Sequence, residues 1–157
     1  MTITLNHTIV WARDKDAAAR FFAEIFGLRF EGSRGHFAAV RVNDTLTLDF
    51  ADAKGAIASQ HYAFHVSGTE FDAILQRVKD AGLAFGSGPR SLEDGKLNDW
   101  NGGRGFYYKD RDGHVIELMT MPRELGGWRA VALTSLMLAP IPQTERQRIN
   151  AQQIKPD

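Results

Sequence analysis

The chain has no cysteine, an absence that removes disulfides, thiolate metal sites and cysteine nucleophiles together. Histidine and carboxylate side chains are left as its strong metal ligands. It also lacks an excess of either charge. Its 19 basic and 19 acidic residues cancel to a formal charge of zero, which argues against nucleic acid or an anionic membrane surface as the main partner. Long hydrophobic runs are missing as well: the longest, Ala130 to Pro140, is broken by Thr134 and Ser135 and falls far short of the ~20 residues of a membrane span. Met1 to Asn6 has no basic segment leading into an apolar core, so it does not read as a signal peptide. The 157 residues suit one domain or two small fused modules. A cytoplasmic protein with a small-molecule ligand is the expectation.

What the chain does have is a repeat. Ile3 to Trp11 alternates as a first strand, with Leu5, His7, Ile9 and Trp11 on one face. Asp14 is placed to cap a helix whose apolar stripe is Ala18, Phe21, Phe22 and Ile25, and Gly27 to close it. Three short strands follow, Leu28 to Glu31, Phe37 to Val42 and Leu46 to Ala51. The pattern then restarts. His61 to Ser67 reads as a strand, Thr69-Glu70-Phe71-Asp72 resembles a capping box, Phe71, Ile74, Leu75 and Val78 make a helical stripe, and Gly82 stops it. Phe26-Gly27-Leu28-Arg29-Phe30 recurs as Ala81-Gly82-Leu83-Ala84-Phe85, and His7 falls opposite His61. The prediction is an α+β fold of two tandem βαβββ modules, 1–53 and 60–122, within a single domain 1–122. An extension over 123–157 has no counterpart in the first half. The modules differ mainly from Gly86 to Gly103, a stretch rich in Gly, Ser, Asp and Asn that reads as a lid or binding loop.

Chemistry is sought where isolated polar groups interrupt apolar strands. The first and last strands of each half carry such groups: His7 and Asp49, then His61 and Glu117. His61 and His65 cannot share one ion, because four residues of strand separate them by ~13 Å. Two modules related by a pseudo-twofold would gather His7, Asp49, His61 and Glu117 in one cup, a set suited to Mn, Fe, Co, Ni or Zn with positions left open for substrate. A carboxylate inside Val-Ile-Glu117-Leu-Met is costly to bury unless paired or bound to metal. Asp49 is a fourth ligand, a base, or a hydrogen-bonded strand residue. His36, His65 and His114 taken singly read as structural or surface residues, and Asp112 and Gly113 are explained by a turn. Arg104 to Lys109 and His114 to Thr120 read as paired strands, and a three-residue loop with Gly113 in the left-handed conformation sets Tyr107 across from Glu117, whereas a two-residue loop sets Tyr108 there.

Taken in order, Leu-Asn-His7-Thr-Ile-Val, Ala-Arg-Phe-Phe-Ala-Glu-Ile-Phe-Gly-Leu, His61-Tyr-Ala-Phe and Gly-Gly-Arg-Gly-Phe-Tyr-Tyr-Lys-Asp-Arg-Asp-Gly-His-Val-Ile-Glu117-Leu resemble the vicinal oxygen chelate superfamily over residues 3 to 120. That group includes glyoxalase I, fosfomycin-modifying enzymes, bleomycin-resistance proteins and extradiol dioxygenases. The resemblance implies a cup-shaped mixed sheet with helices outside, one divalent metal ion held by His7, His61 and Glu117, and Asp49 as fourth ligand or catalytic base. It also implies a cup-facing catalytic Tyr107 and a homodimer whose cup is shared between chains. Trp11, His65, Trp100, Arg104 and Tyr107 are the expected substrate contacts. Ile9 stands where the fosfomycin branch carries threonine, and Trp11 where small glyoxalases carry arginine. Lyase, isomerase or dioxygenase chemistry on a substrate with adjacent oxygens is one implied function. Metal-free sequestration of a planar aromatic compound is the alternative.

Overall fold

The computed structural model describes residues 3–122, and the extension expected over 123–157 lies outside the described residues. Strand β1 (His7–Ala12) leads into helix α1 (Lys15–Phe26), then β2 (Phe30–Arg34), β3 (Phe37–Arg41) and β4 (Thr47–Asp52). These form a sheet of order β1-β4-β3-β2, in which β1 runs parallel to β4 and the other pairs are antiparallel. The second half repeats this: β5 (His61–His65), α2 (Gly68–Asp80), β6 (Phe85–Gly86), β7 (Gly105–Lys109) and β8 (Val115–Met119) form a sheet of order β5-β8-β7-β6. Among the described residues no helix is long and apolar enough to cross a membrane.

Local chemistry explains the boundaries. Asp14 accepts the Ala17 N–H at 3.0 Å and caps α1, and Gly27 ends the helix at φ 68°, a left-handed conformation favoured by glycine. A Cβ at Gly27 would also press on the Arg77 guanidinium at 2.9 Å. The capping box of α2 sits two residues earlier than the sequence suggests. Ser67 Oγ accepts the Glu70 N–H while Glu70 Oε2 accepts the Ser67 N–H, so Ser67 and Glu70 form the pair that Thr69 and Asp72 were expected to form.

Each helix covers one face of its sheet. Phe22 and Ala23 of α1 pack on Val10, Val40, Leu48 and Phe50, while Phe71, Ile74 and Val78 of α2 pack on Phe106, Tyr108, Ile116 and Leu118. Phe71 meets Phe106 edge to face at 5.1 Å. Burying each such large side chain contributes about 1.5–3 kcal/mol. Ile25 reaches from α1 into the second cluster, and Phe26, Tyr62 and Phe64 pack against both, so the two modules share one continuous core.

A polar link reinforces the junction. His114 is fully buried; its Nδ1 accepts the Gln60 N–H at 3.1 Å and its Nε2 donates to the Trp11 carbonyl at 2.8 Å. Beside it, Arg13 Nε donates to Asp112 at 2.9 Å, and the Arg13 guanidinium also reaches the Arg111 carbonyl. The end of β1 is thereby tied to the β7–β8 turn. Asp110 accepts the N–H groups of Asp112 and His114 in that turn, and burial pushes its carboxyl above the usual range. Gly113 at φ 90° completes the turn.

Candidate metal centre

Strand alternation sends Tyr62 and Phe64 toward the helices and leaves His61, Ala63 and His65 on the opposite face of the second sheet. On β8, Ile116 and Leu118 go inward and Glu117 joins the face of His61. Register completes the arrangement: Ala63 pairs with Glu117, and Glu117 with Tyr107. The result is a His61 Nε2 to Glu117 Oε2 distance of 3.0 Å, with the Glu117 side chain only 14% exposed. The Tyr107 ring is buried 5.9 Å from the His61 ring, and Trp100, in a 3-10 turn over Trp100–Gly102, stands edge-on to Tyr107 at 5.9 Å. His61, Glu117, Tyr107 and Trp100, expected from four separate stretches, thus form one cluster.

The first sheet carries the equivalent positions. His7 opens β1 as His61 opens β5, and Asp49 pairs with Ile9 as Glu117 pairs with Ala63. Asp49 is half-buried on the face turned from α1. In the place of Tyr107 the first module has Ala39, the β3 partner of Asp49.

Within one chain the two half-sites do not merge. His7 is exposed and its Nδ1 lies 2.9 Å from the Asn6 side-chain oxygen. Among the described residues no three His, Asp or Glu side chains come together as a metal-holding group. The sheets are hydrogen-bonded as two separate four-stranded units, and β1 meets the second module through its C-terminal end, where Trp11 bonds His114. Among the described residues of one chain, His61 and Glu117 come together, while His7 and Asp49 stand apart from them on the first sheet.

Other expected contacts divide by face. His65 shares the face of His61, with its Nε2 3.2 Å from the Thr120 carbonyl. Trp11 is about half exposed on the open face of the first sheet. Arg104 does not face the cluster. It lies on the helix side of β7, over the Phe71 ring at 4.7 Å, where Asp72 receives its Nη1 at 2.7 Å; that hydrogen bond holds the Asp72 carboxyl below its usual range. Alternation with Phe106 and Tyr108 already puts Arg104 on the helix side, the signal that separates it from the face of Tyr107. Sequence reading also missed the Arg13–Asp112 pair and the bridging role of His114.

A family model described as Glyoxalase/Bleomycin resistance protein/Dioxygenase superfamily matches residues 4–118. The chain belongs to this superfamily. Its relatives there include enzymes. Oxidase ChaP-H2 is 46% identical, with a TM-score of 0.76 over 81% of this chain and 100% of that one. Glutathione transferase FosA of Serratia marcescens is 27% identical over 124 residues, 75% of this chain and 81% of its own length. The fosfomycin resistance protein FosX of Mesorhizobium loti, 22% identical with a TM-score of 0.59 over 78% of this chain and 95% of its own, shares the superfamily's fold.

Proposed function

We propose that this superfamily member is a metal-dependent oxidative enzyme whose small substrate presents two adjacent oxygens to the metal. The observation that carries the reading is the His61–Glu117 pair, 3.0 Å apart on a sheet face not covered by a helix. An imidazole nitrogen and a carboxylate oxygen at this separation can both reach one ion at the ~2.0–2.2 Å of ordinary coordination bonds. Among the described residues Glu117 pairs with His61 and with no lysine or arginine, and imidazole and carboxylate are both ligand types for a divalent cation. The donor set of imidazole and carboxylate suits Fe, Mn, Ni, Co or Zn, and the 46% identical neighbour named an oxidase favours the oxidative branch over lyase or isomerase chemistry.

A second copy of the chain completes the site in this reading, with its His7 and Asp49 meeting His61 and Glu117 of the first. The shared register of the two half-sites supports such a homodimer. When bound, a divalent ion supplies Lewis acidity to chelated oxygens, and iron(II) adds redox chemistry with dioxygen. The chain's own residues do the rest. Tyr107 and Trp100 form an aromatic wall that orients the substrate and limits water, and Asp49 holds or takes the substrate proton.

The test is elemental analysis of untagged protein after exposure to iron(II) or manganese, beside His61→Ala and Glu117→Ala. About one ion per chain in the parent and little in either folded variant is the expected result. Full metal retained in both variants overturns the assignment, and no uptake by the parent moves the reading to sequestration of an aromatic compound. A mixed dimer of His7→Ala with Glu117→Ala, isolated through two non-histidine tags, keeps one intact site if the ligands are shared between copies and none if they are not.

A further inference from the structure

The two modules match closely at His7 and His61 and at Asp49 and Glu117, and diverge sharply one step along the same strands. Trp11, Ala51 and Phe37 lie side by side across β1, β4 and β3. The equivalent positions in the second module hold His65, Met119 and Gly105. Neighbouring strands are ~4.8 Å apart, so Trp11 and Phe37 rise about 9–10 Å from each other on either side of a small alanine. A flat ring touching carbon on both faces needs roughly 7–8 Å between its neighbours. With Ala51 between them, Trp11 and Phe37 leave a slot on this face.

The slot is the centre of a cleft of about 380 Å³ lined by Ile9, Trp11, Phe37 and Ala51 together with Lys15, His36, Asp52 and Lys54. A second cleft of about 520 Å³ shares Trp11, Asp52, Ala53 and Lys54 and continues along Gly55 to Ala58. The charges are unbalanced. Asp52 accepts the Lys15 N–H at 2.8 Å and faces the Lys15 ammonium at 3.8 Å, and that ammonium also donates to the Gly35 carbonyl at 3.1 Å. Lys54 has no acidic partner among the described residues. The Ala53 N–H bonds the Ala12 carbonyl at 2.8 Å, which anchors the backbone next to Lys54 at the end of the slot.

We propose that the Trp11–Ala51–Phe37 slot binds the planar aromatic part of an anionic ligand, with Lys54 meeting its acidic group. The chemistry that fits is an aromatic carboxylate or an aromatic with another acidic substituent of similar size. That this ligand is the substrate rests on the function proposed above; that it binds here does not. In the oxidative reading the slot names the substrate class: an aromatic molecule with adjacent oxygens for the metal and an acidic group remote from them.

The experiment is calorimetric titration of the full chain with 2-naphthoate and with neutral 2-naphthylmethanol. The parent should hold the carboxylate about fivefold more tightly, the scale of a partly exposed charge contact. Lys54→Ala, an exposed change that spares the core, should remove that preference and leave the alcohol unaffected. Trp11→Ala should weaken both ligands by about tenfold. The preference should survive in His61→Ala, whose metal content separately reports on the proposed centre. Equal binding of the two ligands by the parent, or a preference that persists in Lys54→Ala, overturns the proposal. So does a Trp11→Ala chain that changes its sedimentation as an oligomer while binding 2-naphthoate as the parent does, since the slot would then be a seat for a second copy.

Discussion

Replacing His114 with alanine should weaken the whole fold, although the residue follows a turn and belongs to neither helix. Its ring is fully buried and touches both modules: Trp11 of β1 through Nε2, and the residue before β5 through Nδ1. The partners fix the tautomer, since a carbonyl requires a hydrogen on Nε2 and the Gln60 N–H requires a bare Nδ1. Two net hydrogen bonds are worth roughly 0.5–1.5 kcal/mol each. Truncation also empties the space beside Tyr62, whose ring stands edge-on at 5.7 Å. Together these amount to about 2–4 kcal/mol, in the range of large-to-small core changes. With a urea slope of about 2 kcal/mol per molar, the middle of the range for small domains, the unfolding midpoint should drop by roughly 1–2 M. His36→Ala, at an exposed site, should stay within about 0.5 kcal/mol of the parent. If His114→Ala unfolds within that same margin, the bridge does not hold the modules together and the argument fails.

The remaining predictions concern the second module and acid. Ser67→Ala removes one arm of the capping box and should cost about 1 kcal/mol in urea unfolding, whereas Thr69→Ala should cost less than half as much. Gly86→Ala places a Cβ 1.7 Å from the Ser91 carbonyl oxygen, so it should destabilise by about 1–3 kcal/mol and change Trp100 fluorescence as the loop shifts; an unchanged spectrum and midpoint would contradict that contact. Glu70, Asp72 and Asp94 are held below their ordinary ranges by hydrogen bonds from Ser67, Arg104 and Ser87 respectively. Their stabilising contributions are complete above the unfolded values and are lost as pH falls through the folded ones. Burial raises Asp110, whose contribution has the opposite sign, present at low pH and lost as pH rises. Taking the urea midpoint from about pH 6 to about pH 3 should therefore show a fall that is shallower in Asp72→Asn and steeper in Asp110→Asn.

Much of this molecule can be read along the chain, because the signals are local. Asp14 and Gly27 bracket α1 as capping chemistry dictates, and the repeat alone aligns His7 with His61 and Asp49 with Glu117. The turn narrows the partner of Glu117 to Tyr107 or Tyr108 according to loop length, and the structure, with Gly113 at φ 90°, has Tyr107 there. Other features are illegible for stated reasons. Two overlapping patterns, Ser67 to Glu70 and Thr69 to Asp72, both satisfy a capping box, and backbone hydrogen bonding chooses the first. The Trp11–Ala51–Phe37 slot spans three strands, so no window of sequence contains it. The separation of His7 from His61 depends on how the modules pack through α1, Tyr62 and His114, which a repeat does not encode.

The loop between β6 and β7 has a second consequence. Strand β6 is only two residues long and reaches Tyr107 and Tyr108, and the bridge from Asn98 covers Gly105 at the start of β7. Without that loop, Gly105–Lys109 would present an apolar row of unpaired backbone groups, a template on which other chains can add strands. Shortening the loop to change ligand preference would thus expose an aggregation-prone edge. Engineering there succeeds only if Asn98 or an equivalent strand partner stays in place, which makes solubility a constraint on how far this part of the chain can vary.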